Sequence, residues 1–155
     1  MLSVFSDTYF MKQALAEAEQ AYAAGEIPVG AVIVCDHRII ARTHNQTEQL
    51  TDVTAHAEIM AITAASGHLG SKYLPDCTLY VTVEPCVMCA GALAWAQIGR
   101  VVYGATDEKR GFMVAGGKAL LHPKTRLELG VLEAECGELM QRFFQERRGL
   151  GARKL

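Results

Sequence analysis

Leu79-Tyr80-Val81-Thr82-Val83-Glu84-Pro85-Cys86-Val87-Met88-Cys89-Ala90-Gly91 is the stretch on which the fold turns. Cys77 to Val83 alternates and is rich in β-branched residues, the pattern of a strand. Pro85 suits the first turn of a helix from about Cys86 to Ala96. Cys86 and Cys89, three positions apart, then share one helix face. Upstream, Thr54-Ala55-His56-Ala57-Glu58 places a histidine and a carboxylate two positions apart. One His and two Cys are three metal ligands, and three protein ligands leave a tetrahedral zinc with one open position, the mark of a catalytic rather than a structural site. Glu58 has no coordination duty in that set. Residues i and i+2 do not face each other in mid-helix, so His56 and Glu58 serve one site only from a helix mouth. Both motifs are therefore expected at helix starts, with two positive dipole ends converging on the metal, its thiolates and a hydroxide.

The flanking sequence extends the same alternation. Ser6 or Asp7 can cap a first helix in which Met11, Leu15, Ala18 and Tyr22 recur on one face, and Gly25 ends it. Ala31 to Cys35 is a continuous apolar run and so a buried strand. Asp36-His37-Arg38 is a turn and Ile39 to Thr43 the returning strand of a hairpin. Thr54 is the expected N-cap of a helix through Ala65, stopped by Gly67. Val101 to Tyr103 is a short strand of a third layer. Residues 107–126 read as a partly helical, irregular connection, Leu127 to Leu132 as a last edge strand, and Glu133 to Arg148 as a terminal helix. Leu139, Met140, Phe143 and Phe144 form the apolar side of that helix, and Gly149 and Gly151 release a basic tail. Strands alternating with helices give an α/β layered domain.

A chain of 155 residues reads as one domain, 1–155, with 147–155 as its basic tail. It is long enough to bury roughly 70% of its unfolded surface without disulfides. The N-terminus, MLSVFSDTYFMKQ, has no basic segment ahead of an apolar run, and no stretch approaches membrane-spanning length. A cytoplasmic enzyme is expected, without a membrane. The five cysteines are an odd number, read as metal or redox ligands before disulfides. The charge is unevenly spread. Residues 1–99 carry four Lys/Arg against ten Asp/Glu, a balance of −6, and residues 100–155 carry eleven against seven, a balance of +4. A basic C-terminal third on an acidic body suggests a polyanionic partner, although basic tails also merely solubilise a helix end.

Cys-x-x-Cys alone is shared by redox sites and zinc knuckles. A structural zinc would need a fourth ligand, for which Cys35, Cys77 and Cys136 are donors, yet none is paired at ligand spacing and each lies in an apolar run. The joint pattern, H-x-E followed by P-C-x-x-C, resembles the zinc-dependent nucleoside and nucleobase deaminases. Within that superfamily, residues 10–107 are similar to the bacterial tRNA-specific adenosine deaminases. The similarity is carried by Ile27-Pro28-Val29-Gly30-Ala31-Val32, Asn45, Thr54 to Ala61, Leu79 to Ala92 and Ile98 to Ala105, and more loosely by Gly130-Val131-Leu132 and Phe143-Phe144. Free guanine deaminases share both motifs, and Trp95-Ala96 echoes theirs, so they are the competing family reading. A zinc-stabilised nucleic-acid-binding module without catalysis is the alternative of another class.

The resemblance implies a three-layer α/β/α cytidine-deaminase-like fold with a central mixed sheet of about five strands. It implies one Zn2+ per subunit on His56, Cys86 and Cys89, with Glu58 as the catalytic proton carrier. The substrate would be a wobble adenosine in a tRNA anticodon stem-loop, turned to inosine with release of ammonia. Asn45 should bind the ribose or base, Val29 and Ala31 should line the base pocket, and the backbone at Ala55 and Glu84 should read the base edge. Phe144 is a possible stacking surface for RNA beside Arg147, Arg148, Arg153 and Lys154. Relatives form homodimers, and the helix holding Ala90, Ala92, Leu93, Trp95 and Ala96 is apolar enough to take part. The chain departs from the family pattern over Gly111–Lys118 and His122–Arg126, where contacts to RNA do not carry over, and His44 stands where an aromatic residue is common.

Overall fold

The structure, a computed structural model, describes residues 5–153. Five strands form one mixed sheet. They are β1 (Gly30–Cys35), β2 (Arg38–His44), β3 (Cys77–Val83), β4 (Arg100–Ala105) and β5 (Arg126–Leu129). Their order is β2-β1-β3-β4-β5. The β1 strand lies antiparallel to both β2 and β3, while β3, β4 and β5 run parallel. Helix α1 (Asp7–Ala23) leads the chain, α2 (Ala57–Leu69) precedes β3, and α3 (Val87–Trp95) crosses from β3 to β4. A short α4 (Phe112–Ala115), a 3₁₀ turn (Gly117–Leu120) and the terminal α5 (Glu133–Arg153) complete the order.

Alternation along the central strands makes two cores. Ala31 and Ile33 of β1, Leu79 and Val81 of β3, and Val101 and Tyr103 of β4 face the side covered by α2 and α3. Val32 and Val34, Tyr80 and Val102 face the side covered by α1 and α5. Sheet residues buried on both faces explain why β1 is apolar throughout. Gly30 lets α1 lie directly on β1: a Cβ there would stand 2.1 Å from the Ala14 carbonyl oxygen. Asp36 and His37, with φ of 51° and 62°, make the two-residue hairpin turn. The sheet is clamped to the start of α1 by Arg100, whose guanidinium donates to both Asp7 carboxylate oxygens at 2.8 and 2.7 Å and also to Glu128, while the Tyr80 hydroxyl donates to Asp7 at 2.7 Å.

Several boundaries differ from expectation. Helix α2 starts at Ala57, with His56 and not Thr54 as its N-cap. Thr54 is instead locked in a turn, its N–H and hydroxyl both donating to the Asp52 carboxylate. Gly67 does not stop α2; Gly70, left-handed at φ 66°, does, its N–H reaching the Ser66 carbonyl. Pro85 stands one residue before the Cys86 N-cap rather than inside the first turn of α3. The strand at Val101–Tyr103 spans Arg100–Ala105 and belongs to the single sheet, not to a third layer. The last strand is Arg126–Leu129, since Gly130 and Leu132 take positive φ of 85° and 55° and turn the chain away before Leu132. Helix α5 continues through Gly149 and Gly151 to Arg153, so those glycines do not release a tail. A glycine inside a helix costs only about 1 kcal/mol. Residues 1–4 and 154–155, which hold the extreme N-terminus and Lys154, lie outside the described residues.

Candidate active site

The two helix mouths meet. His56 and Cys86 are the N-caps of α2 and α3, both in extended backbone conformation, and neither side chain turns back to cap its own helix. An N-cap side chain ordinarily spends its polar atom on the N2 or N3 N–H; here the imidazole and the thiol are left for each other. His56 Nδ1 lies 3.6 Å from Cys86 Sγ and 3.4 Å from Cys89 Sγ. Ligand atoms of the three residues all fall within 4.8 Å of one another. Zn–N and Zn–S bonds of ordinary length at a tetrahedral angle put N and S about 3.5 Å apart, so this donor set fits a zinc ion without rearrangement. No fourth Cys, His, Asp or Glu joins the cluster among the described residues. Cys35, Cys77 and Cys136 sit elsewhere in the fold, which leaves a tetrahedral ion one open position.

Glu58, at the second position of α2, is 4% exposed. Burial pushes its carboxyl up to about 7, against the opposing pull of its own backbone N–H and of His56. Cys86 is held down to about 4, first by a hydrogen bond with Cys89 and also by His56. Its bond with Cys86 and burial push Cys89 up, and Cys86 raises His56. One imidazole nitrogen and two sulfurs converging in this way are the donor types that suit zinc. The carboxyl poised near neutrality matches a group that both takes and gives a proton.

Around this centre the chain stitches its loops together. Asn45 donates from its backbone N–H to the Val29 carbonyl at 3.0 Å, and the Gln46 N–H donates to the Ala55 carbonyl at 3.0 Å. These bonds draw Val29, Asn45 and Ala55 up to His56. The Asn45 side chain is buried, with Nδ2 donating to the Ile27 carbonyl and Oδ1 accepting from the Thr47 N–H. Ala31 is fully buried in β1, and Val29, just ahead of that strand, is half-buried. Phe144 is 39% exposed on α5, in the layer across the sheet from α2 and α3, and packs edge-on to the buried Phe143. Arg147, expected beside it on the RNA side, donates to the Gly25 carbonyl and stacks 5.0 Å over Phe143.

Two buried carboxylates escaped the sequence reading. Glu26, 1% exposed, accepts the N–H groups of Glu48 and Gln49 at 2.9 and 2.8 Å and so pins the 46–51 turn. Glu84 was expected to act through its backbone, yet its side chain is also engaged. Its carboxylate accepts from the N–H groups of Asp107 and Met113 at 3.2 and 3.0 Å. Gly111 makes room for it, since a Cβ there would lie 1.9 Å from Glu84 Oε2. The Phe112 N–H donates to the Pro85 carbonyl at 3.0 Å, and Gly111 bridges Cys86. The divergent loop is thereby tied to the metal turn. The only advance signal was an acidic residue in an otherwise apolar context at each position.

Residues 5–105 match the family described as the cytidine and deoxycytidylate deaminase zinc-binding region. The chain is 44% identical over 151 residues to a tRNA-specific adenosine deaminase of Streptococcus pyogenes, covering 94% of each. It superposes, with a TM-score of 0.80 and 46% identity, on a solved structure from a study of A-to-I editing by tRNA:A34 deaminases at the wobble position of transfer RNA, covering 85% of this chain and 99% of that one. A solved guanine deaminase of Bacillus subtilis is 44% identical but matches at a TM-score of 0.61, over 70% of this chain and 68% of its own.

Proposed function

The chain belongs to the cytidine and deoxycytidylate deaminase family, in its tRNA-specific adenosine deaminase branch, and on that premise we propose that it deaminates the wobble adenosine of tRNA to inosine. The observation that carries the reading is the three-donor cluster at two helix mouths with a buried carboxyl beside it, in a chain 44% identical over 151 residues to such an enzyme. His56, Cys86 and Cys89 would hold the zinc. When bound there, zinc supplies Lewis acidity that lowers the pKa of a water toward about 7. Glu58 takes a proton from the attacking water and delivers it to ring nitrogen N1 as the water oxygen bonds to C6. It then takes the second proton from that new C6 hydroxyl and passes it to the exocyclic amine, so the C6–N bond breaks, ammonia leaves and the C6 carbonyl forms. One carboxyl serves as base and then acid, which its position near neutrality favours. Asn45 holds the flipped nucleotide, Val29 and Ala31 wall the base, and the backbone at Ala55 and Glu84 meets its edge; Phe144 lies on α5, in the layer across the sheet from these residues. Glu26 and Glu84 hold the two loops flanking the metal group at a fixed spacing.

The whole chain, 1–155, acts as one deaminase unit in the cytoplasm, with a second copy against the outer face of α3 and α4. That face exposes Val87, Met88, Trp95, Met113 and Val114 next to the metal ligands, an apolar patch of the kind that marks an interface. No helix of the described residues is long and apolar enough to cross a membrane. Ammonia release should be measured with an anticodon stem-loop carrying a wobble adenosine, beside free guanine, adenosine and cytidine. Turnover on the stem-loop alone is expected. Turnover on guanine would move the chain to the competing family, and zinc binding without any release would leave a binding module.

A further inference from the structure

Two cysteines that the deaminase reading does not use stand directly opposite each other. Cys35 ends β1 and Cys77 begins β3, and the antiparallel register pairs them. Their backbone groups point away from one another. The Cys77 N–H donates to the Leu74 carbonyl at 3.2 Å and its carbonyl accepts from Gly99 at 3.1 Å. Cys35 closes the hairpin opposite Arg38. Such a non-hydrogen-bonded antiparallel pair brings its Cα atoms to about 4.5 Å with the side chains close, within the span a disulfide bridges. Both side chains lie on the face toward α2 and α3, where Cys77 belongs to the core and Cys35 packs against it. Both are free thiols. Cys35 is half-exposed, and Cys77, although only 2% exposed, lines a cavity of about 590 Å³ with Pro75, Gln97 and Arg126. The pair lies at the end of β3 away from Cys86, about 20 Å along the strand from the metal turn.

We propose that Cys35 and Cys77 form a reversible oxidation site, closing as a cross-strand disulfide in the presence of a low-molecular-weight disulfide of the glutathione class. Cys35, the exposed thiol, loses its proton and attacks one sulfur of the small disulfide. That S–S bond breaks, and one small thiol leaves with the proton. Cys77 then gives up its proton and attacks the Cys35 sulfur of the mixed disulfide, expelling the second small thiol. Two protein thiols are oxidised by two electrons and one small disulfide is reduced to two thiols. Cys35 is the more exposed thiol, and burial, with Cys35 nearby, pushes the Cys77 thiol up to about 12, which assigns the first attack to Cys35. The closed loop holds the 45–55 segment and α2, so the link ties β1 to β3 at the end of the sheet opposite the metal turn, without touching the metal ligands.

The test uses the zinc-loaded protein and oxidised glutathione, read by intact mass, peptide mapping and thermal unfolding. The expected result is loss of two hydrogen masses and a peptide joined through Cys35 and Cys77. Tm should rise by about 5 °C or more, dithiothreitol should reverse both changes, and zinc content should stay constant. Cys35→Ser, a change at a half-exposed position, should abolish the link while leaving ammonia release unchanged. Two thiols that both remain open to alkylation after treatment would overturn the proposal, as would a mixed disulfide that stalls at Cys35. Zinc release accompanying thiol loss would place the oxidation at Cys86 and Cys89 instead, and would overturn it as well.

Discussion

Glu58 and Asp7 are acids whose surroundings push them in opposite directions. Glu58 is raised to about 7 by burial, and replacing it with Gln keeps the shape of α2 while removing the proton carrier. Ammonia release from the stem-loop should fall by about 10²- to 10⁴-fold, with zinc content by elemental analysis unchanged; near-normal turnover would remove Glu58 from the chemistry. Asp7 is held below the usual carboxylate range, first by its hydrogen bond with Arg100, despite partial burial. A carboxyl depressed in the folded state adds stability that is fully present above its unfolded value of 3.8 and is lost as pH falls through the folded value. Asp7→Asn should therefore lower stability at pH 7 by about 1 kcal/mol, the screened worth of a part-exposed pair. The gap from the parent should close below pH 4 in urea melts, and a gap constant across pH would refute the assignment. The metal cluster was legible residue by residue because His, Cys and Glu at these spacings have few other uses. Glu26 and Glu84 were not, because a buried carboxylate that receives backbone N–H groups leaves no periodicity in the sequence.

At the scale of elements, apolar runs and alternation gave the strands of the sheet to within a residue or two over β1, β2 and β3. Helix ends were less legible, since they are decided by contacts distant in sequence or by competing turns. Thr54 looked like a cap until Asp52 claimed both its donors, and Gly67 looked like a stop although open space surrounds it. Gly30 shows the reverse case, a residue whose small size is demanded by another element. Gly30→Ala would drive a methyl into the α1 backbone at 2.1 Å from the Ala14 carbonyl oxygen. Overpacking of that kind costs about 1–3 kcal/mol, to be read as a lower urea midpoint. The 107–126 connection is partly helical, as expected, and Glu84 orders its first part. Glu84→Gln substitutes an amide that cannot accept from both the Asp107 and Met113 N–H groups. Faster amide exchange at residues 107–113 and a raised KM for the stem-loop are expected, with zinc retained. Exchange unchanged at those amides would mean that the loop is held by other contacts.

For the whole molecule, the charge asymmetry and the layer arrangement bear on where RNA can lie. The cations of the C-terminal third are not all available. Arg100 is spent on Asp7 and Glu128, and Arg147 on Gly25 and Phe143. Lys109 and Arg110 follow Asp107 on the exposed loop that Glu84 anchors beside the metal turn, and Lys118 and Lys124 are exposed farther along the same connection. The sequence pointed to the terminal helix as the RNA contact because that is where arginines cluster in the chain. In the fold, Glu84 brings Lys109 and Arg110 close to the helix mouths, whereas α5 lies across the sheet. Each phosphate neutralised by a lysine or arginine on single-stranded RNA adds about 0.7 to the magnitude of the slope of log affinity against log salt. Replacing Lys109 and Arg110 together by Ala should therefore lower the slope magnitude for an anticodon stem-loop by about 1.4 and weaken binding at low salt. Truncation at residue 147 should lower it by less. The reverse order, with truncation dominant, would put the RNA on α5 and return the contact to the terminal helix.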